Sequence, residues 1–405
     1  MSTLLTIGGI TKKSMFVLKN TCDFLPLITS DYSDQFAVVG AKIGYTINIR
    51  KPPRYEVTRG QQAVLQGTNE TYVTLALSNQ LNIALPFSMA DRTLSLDNYT
   101  ERVIVPKTAA IANAVDVDVA AIAQKFAWSR GTPGTAMNTM LAINEAGALL
   151  TNLGFPRVQR SVVLTPDMHA TMAAAQTGIF NPANAISETY RTGQITKYAN
   201  FAFHEDPNLP THTAGIQGGT PLVNGTTAAG ATTLVTDGWT SGTAVTRLNV
   251  GDTFTVAGVY AVNPQSRVSF KKLRPFTVMA PGVETSGAMT ITFSPAMIPA
   301  GQNQNIDALP ADNAAITVTS GASATTYCYG VAMSKGAIGI GFADIELPPA
   351  KGVVESFRQV DEDTGLSMAT VTAYDVYGGQ TITRTDIIYG VCQIYEDGLI
   401  RLWDI

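Results

Sequence analysis

Apolar and polar positions alternate along Ile43–Arg50, with Ile43, Tyr45, Ile47 and Ile49 on one side and Gly44, Thr46, Asn48 and Arg50 on the other. A period of two predicts a half-buried strand. Lys51-Pro52-Pro53-Arg54 ends it, because proline cannot serve a central ladder. The alternation resumes at Thr71, with Val73, Leu75 and Leu77 in phase. The pattern predicts two strands joined by a long protruding hairpin. Loops longer than about 12–15 residues are uncommon unless they carry function. Ahead of it, residues 1–40 hold no sustained period and read as an extended arm with one short helix near Ser14–Asn20.

The period changes after residue 97. Ile111, Val115, Val119, Ile122 and Phe126 recur at three- and four-residue steps, one apolar stripe of a helix over Lys107–Ala127. Gly131-Thr-Pro-Gly134 breaks the run, and a second helix stops at Leu153-Gly154-Phe155-Pro156, where glycine, an apolar residue and proline follow in the order of a helix end. Arg160–Leu164 reads as a buried strand, and Thr165-Pro166-Asp167 as the cap and first turn of a short helix ending near Gly178. Loop and strand return over Gly193–Phe203.

From Thr211 to about Thr326 the chain turns rich in Thr, Gly, Ala and Val. Short alternating runs at Thr232–Val235, Thr253–Val256, Arg267–Phe270, Phe276–Ala280, Met289–Phe293 and Ala315–Thr319 are separated by turn residues. This spacing predicts a compact all-β module. Beyond Tyr327 the expected elements are a short helix over Val331–Ile338 and strands at Gly352–Val360, Leu366–Val376, Thr381–Thr385, Val391–Tyr395 and Leu399–Trp403. The simplest organisation is a discontinuous α/β domain interrupted by a β insertion.

Composition narrows the function. Charged residues make up 14% of the 405, against about 25% in ordinary soluble domains, while hydrophobic content is an ordinary 45%. So neutral a surface points to partial coverage by protein partners. A net charge of −4 argues against a dedicated nucleic-acid binder. No stretch offers the 18 or so apolar residues of a spanning helix, and the N-terminal lysines follow the apolar residues, the reverse of a secretory signal. The expectation is a reducing, cytosol-like setting with Cys22, Cys328 and Cys392 as free thiols.

No chemistry-bearing motif stands out. Gly336-Ala-Ile-Gly339-Ile-Gly341 lacks the order of a dinucleotide loop and reads as a tightly packed turn. His204-Glu205-Asp206 with His212 is broken by Pro207 and Pro210 and reads as a polar loop rather than a metal set. Asp361-Glu362-Asp363 lacks the ligand spacing of a calcium loop. Asp116 and Asp118 point to different sides of their helix; Asp118 is expected to pair with Lys125 or with a neighbouring subunit. No nucleophile elbow, phosphate loop or zinc-protease pattern occurs, so no enzyme, cofactor or metal is expected. Arg50, Lys51, Arg54 and Arg59 make the long hairpin basic, with Glu56 the only acid among them.

The order of these parts resembles the major coat protein of tailed double-stranded DNA bacteriophages, the Hong-Kong-phage coat fold, in its branch from the short-tailed Salmonella phages. The likeness is carried by Gly44–Tyr55, by Asn181-Pro182 through Tyr190-Arg-Thr-Gly193-Gln-Ile195, by Asp206–Gly215, by Asn249–Pro264 and by Asp386–Cys392.

The resemblance implies an α+β capsid fold. Its parts would be an N-terminal arm (1–40), an extended loop with flanking strands (41–96) and a peripheral domain with a spine helix (97–157). An axial domain (158–213) would be interrupted by an inserted all-β domain (214–326), and 327–405 would complete the axial domain and add closing peripheral strands. It implies a major capsid protein that self-assembles as hexamers and pentamers into an icosahedral virion shell in the host bacterial cytoplasm. The partners would be a scaffolding protein, a portal and a decoration protein, and the shell would enclose double-stranded DNA without reading its sequence. No membrane is involved. The alternative is another self-assembling structural protein, a tail tube or an encapsulin-like compartment shell. In the family the extended loop lies over a neighbouring subunit. Charge steering leads to the expectation that Arg50, Lys51, Arg54 and Arg59 meet an acidic patch at Asp361, Glu362 and Asp363 of an adjacent copy.

Overall fold

In the computed structural model two compact units divide the chain. The structure describes residues 7–30, 46–57, 60–61, 65–68, 70–88, 103–175, 195, 197–347, 355–361 and 365–405. Ile43 and Tyr45 of the first strand, the 181–194 part of the resemblance, Arg59, Glu362 and Asp363 lie outside them.

The first unit takes the chain up to Arg50, then Tyr72–Ala120 and Ile338–Ile394. The alternating segment forms the strand Thr46–Arg50, with Ile47 and Ile49 buried between exposed neighbours. It pairs antiparallel with Tyr72–Ala76, Arg50 opposite Tyr72, as the period-two reading requires. A larger antiparallel sheet is organised on the long strand Gln380–Gln393, which pairs with Asn79–Ser88, Ser367–Asp375 and Ile338–Ala343. Glu355–Val360 extends it at the edge. The two short strands expected at Thr381–Thr385 and Val391–Tyr395 thus belong to one.

Two helices serve this unit. Ile7–Thr21 is longer than the expected Ser14–Asn20; it buries one face, Thr11, Ser14, Met15 and Leu18, whose polar first half hid it from the apolar pattern. Val105–Ala121 buries Ile111, Val115 and Val119. Its Asp116 carboxylate is buried and accepts the backbone N–H groups of Asp23 and Phe24 at 3.1 and 3.3 Å, so the chain after the first helix is fixed to the second. Asp118 accepts hydrogen bonds from the Asn79 amide at 3.0 Å and the Tyr389 hydroxyl at 2.5 Å, which makes it an internal clamp. The stripe continues past the α-helix: Ile122–Lys125 is a 3-10 turn, and Ile122 and Phe126 are buried as well.

The second unit takes Lys51–Thr71, Ala121–Ala337 and Tyr395–Ile405. Its mixed sheet runs in the order Ser129–Arg130, Leu399–Trp403, Thr326–Ser334, Arg160–Leu164, Phe201–Glu205 and Lys197–Tyr198. Arg160–Leu164 and Phe201–Glu205 are parallel, the helix Pro166–Ala175 lying between them in sequence. That helix starts as its sequence directs, the Met168 N–H donating to Thr165 Oγ1 at 3.3 Å. The helix Leu141–Asn152 ends with Phe155 N–H on the Leu150 carbonyl and Gly154 N–H on that of Thr151, Gly154 having φ +85°. Those two bonds, with a left-handed glycine, are the helix stop read from the sequence. Ile143, Leu149, Leu150, Val162, Leu164, Met168, Phe201, Ile400 and Leu402 form the core.

The short helix expected at Val331–Ile338 is not there. Val331–Ser334 belongs to the strand Thr326–Ser334, Lys335–Ala337 is a 3-10 turn and Ile338 opens the next strand. Tyr329–Ser334 is buried on both faces, so this strand has no polar side to reveal a period of two, and a short apolar run does not separate helix from strand.

The Thr- and Gly-rich stretch forms an antiparallel six-stranded sheet ordered Ile316–Val318, Thr253–Val262, Ser269–Val278, Met289–Met297, Ala231–Trp239 and Gly219–Val223. A two-stranded ladder of Thr243–Leu248 and Gly282–Thr285 accompanies it. Its core centres on Phe254, Phe276 and Phe293, with ring centroids 5.1 to 5.9 Å apart, separations in the favoured range for aromatic pairs.

Candidate functional site

The hairpin loop is built from its roots outward. The Lys51 N–H donates to the Thr71 carbonyl at 2.7 Å. Farther out, the Glu56 N–H donates to Gln66 Oε1 at 2.7 Å, and Gln66 Nε2 returns a bond to the Glu56 carbonyl at 2.5 Å. The loop also leans on the six-stranded module. Arg267 forms an ion pair with Glu56, and Gln302 Nε2 donates to the Gly67 carbonyl at 3.0 Å. Fixed at these points, the loop presents apolar side chains to solvent: Val57 is 93% and Leu65 99% exposed, and Tyr55 is exposed beside them.

The basic residues named from the sequence divide. Arg50 ends its strand on the exposed side. Lys51 is half-buried, its ammonium 5.9 Å from the centre of the Tyr395 ring. Arg54 is exposed. Lys51 and Arg54 act on Glu396, whose carboxyl is pushed up by burial; Lys51 opposes that shift, Asp397 adds to it, and Arg274 and Arg54 oppose it. Asp397 Oδ1 accepts both Arg274 Nη2 at 2.7 Å and Trp128 Nε1 at 2.8 Å. Lys51 and Arg54 therefore sit in the field of a half-buried acidic pair of their own unit. Of the acidic residues, Asp361 forms an ion pair with Lys19 at 3.0 Å, both partly exposed.

A second constellation joins the six-stranded module to the mixed sheet. Asp252 is fully buried. Its Oδ1 lies 2.8 Å from His212 Nε2 and accepts Ser320 Oγ at 2.7 Å, and its Oδ2 accepts the N–H groups of Gly215 at 3.0 Å and Asn249 at 2.7 Å. Burial alone would raise the carboxyl, but these hydrogen bonds and the charge of His212 outweigh it and hold it below the ordinary range. Arg401, also fully buried, donates to the Gly251 carbonyl at 2.9 Å and lies over the rings of Trp403 and Tyr329, 5.2 and 5.8 Å from their centres. Burial lowers its guanidinium and raises the Tyr329 hydroxyl to about 12.

The histidine segment divides in the same way. His212 serves Asp252, while Glu205 stands 3.5 Å from His169 Nδ1. No group of three metal-ligating side chains forms among the described residues. The Asp252 node left no signal in the sequence, since its ligands come from segments far apart in the chain. Val57 and Leu65 did leave one: they are apolar residues inside a polar, basic loop.

No curated protein matches the chain. Among solved structures the fold is similar to that of Mycobacterium phage Che8, at 13% identity over 94% of this chain and 90% of that one, with a TM-score of 0.47. It is similar to the capsid of the cyanophage P-SCSP1u at 12% identity over 93% and 86%, with a TM-score of 0.44. A CUS-3 coat protein I-domain is similar at 23% identity over 26% of this chain and 97% of that one, with a TM-score of 0.19. The family model for the P22 coat protein, gene protein 5, matches residues 54–396. That match runs from Arg54 in the basic loop through the six-stranded module to Glu396, and by it the chain belongs to the P22 coat protein family, as a tailed-phage major capsid protein that forms an icosahedral shell.

Proposed function

We propose that the loop 51–71 is the element through which this capsid protein grips a neighbouring copy in the shell. The observation that carries this reading is the pair of apolar side chains, Val57 and Leu65, left almost wholly in water on a braced loop. Exposed apolar surface rimmed by polar groups marks an interaction site, and interfaces bury apolar residues centrally with charges at the rim. Arg50, Lys51, Arg54 and Arg59 supply that rim, and Asp361, Glu362 and Asp363 of the adjacent copy receive it.

Around this contact we assign the arm to 1–40, the extended loop and its strands to 41–96 and the peripheral domain to 97–157. The axial domain takes 158–213 and 327–405, the latter with closing peripheral strands. Residues 214–326 form an inserted domain that steadies the subunit, a reading supported by the Asp252 node. The copies group as hexamers and pentamers on a scaffolding protein in the host bacterial cytoplasm, with a portal at one vertex, a decoration protein outside and double-stranded DNA packaged afterwards. The role is structural rather than enzymatic. The test is the double variant Val57→Asp with Leu65→Asp. A soluble, folded subunit that no longer assembles is expected; normal shells would overturn the reading.

A further inference from the structure

We propose that the cleft between the helix Leu141–Asn152 and the turn at Ala199–Asn200 is an oxyanion-binding site, with Arg157 as the donor and Arg160 as the buried counter-charge. The cleft holds about 330 Å³ and is lined by Asn144, Gly147, Thr151, Arg157, Arg160 and Asn200, with no acidic side chain on its wall among the described residues.

Arg160 is 3% exposed. Its Nε donates to the Pro156 carbonyl at 2.8 Å, Nη1 to the Gly147 carbonyl at 2.9 Å, and Nη2 to Thr151 Oγ1 at 3.1 Å and the Phe155 carbonyl at 2.9 Å. Every one of these acceptors is neutral. Burial lowers the guanidinium, and the charge of Arg157 lowers it further. Buried charges are ordinarily paired with an opposite charge, and here two arginines reinforce each other instead. Arg160 gives four of its five N–H donors to the protein and lends the cleft positive potential. Arg157 is exposed at the rim, with the planar fork that suits carboxylate or phosphate oxygens.

The opposite wall is a two-residue hairpin turn whose geometry calls for positive φ at both central residues. Ala199 and Asn200 have φ of 50° and 67° and form the two-residue turn between paired Tyr198 and Phe201. Asparagine suits that region and alanine is uncommon in it. The wall is also fastened: Asn144 Nδ2 donates to the Tyr198 hydroxyl at 3.0 Å. Gly147 lies in the middle of a helix, where a Cβ would come 3.2 Å from the Phe201 ring; glycine lets the helix close on the turn and on Arg160.

The ligand is a small oxyanion, since the volume lies at the low end of ligand pockets. It is a free phosphate or the carboxylate of a second copy of this chain. The test is labelling of Arg157 by an arginine-specific dicarbonyl on the soluble full-length subunit, read by peptide mass spectrometry at constant ionic strength. Phosphate or acetate near ten times its dissociation constant should slow Arg157 labelling about tenfold relative to chloride and leave Arg54 labelling unchanged. Phosphate should also raise the thermal midpoint of the wild type and not that of Arg157→Ala, which alters an exposed side chain. Labelling at the chloride rate in both anions overturns the proposal. Shells assembled without phosphate distinguish the sources: Arg157 already protected identifies a neighbour's carboxylate, and Arg157 protected only on adding phosphate identifies the free ion.

Discussion

His212 Nε2 and Asp252 Oδ1 stand 2.8 Å apart, and neither side chain has more than 3% of its surface in water. Asp252 immediately precedes the strand Thr253–Val262 of the six-stranded module, and His212 lies in the strand Thr211–Thr213, which pairs with the start of Thr326–Ser334 in the mixed sheet. One carboxylate therefore ties the two layers of this unit together.

Removing that carboxylate leaves Ser320, His212 and two backbone N–H groups without their acceptor in a dry site. Asp252→Ala is expected to lower subunit stability by roughly 3–5 kcal/mol, the cost of breaking a buried pair, as measured by urea unfolding. The pH behaviour follows from the lowered carboxyl. The folded protein binds this proton less readily than the unfolded chain, so the contribution is complete above the ordinary value of 3.8 and is lost only as pH falls through the lower folded value. An unfolding free energy unchanged in the alanine variant contradicts the role of the node.

Lys107 also holds its proton less readily in the folded protein, but here the burial of its charge costs stability at neutral pH. Its ammonium donates to Thr385 Oγ1 at 2.7 Å, and burial lowers it from 10.5 to about 8, with Asp386 opposing the shift. Between those values the unfolded chain binds the extra proton, so stability rises with pH. The raised thiol of Cys328 acts against this climb from its ordinary value of 9.0 upward, and the raised hydroxyls of Tyr329 and Tyr389 from 10.0 upward. Urea midpoints of the wild type should climb from pH 8 to about 9, and Lys107→Met should be more stable at neutral pH and lose the climb. Equal slopes in the two proteins contradict the assignment.

Reversing the charge of Arg54 and Arg59 should impair assembly and leave subunit folding intact; at exposed Arg54 a substitution of this kind usually changes stability by no more than about 0.5 kcal/mol. Circular dichroism checks the fold and sedimentation the assembly. Shells formed at the wild-type rate contradict an electrostatic rim.

Deleting residues 216–324 removes Asn249, Asp252 and Ser320 and leaves His212 and Arg401 buried without their partners. The expected product is insoluble chain. A soluble, shell-forming deletion contradicts a steadying role for the module.

Local patterns in the chain proved readable. Ile47 and Ile49 gave the hairpin strand its buried side, the stripe from Ile111 to Phe126 is buried throughout, and Leu153-Gly154-Phe155 ends its helix as its residues dictate. Val331–Ser334 misled because a strand buried on both faces has no polar phase. The Asp252 node was illegible for a different reason. Its donors lie 37 to 68 residues away along the chain, apart from Asn249, and no short-range period encodes such a meeting. His212 instead drew the eye toward His204, which only proximity in sequence recommends. In the loop the basic residues were conspicuous, whereas the role of Val57 and Leu65 depends on their exposure, which the fold sets.

The most direct measurement is the size and form of the particles made when the intact chain is expressed in bacteria, by sedimentation and negative-stain microscopy. Closed icosahedral shells are expected from the wild type, and folded free subunits from the Val57→Asp, Leu65→Asp variant. Open tubes or a small soluble oligomer from the wild type would contradict the account.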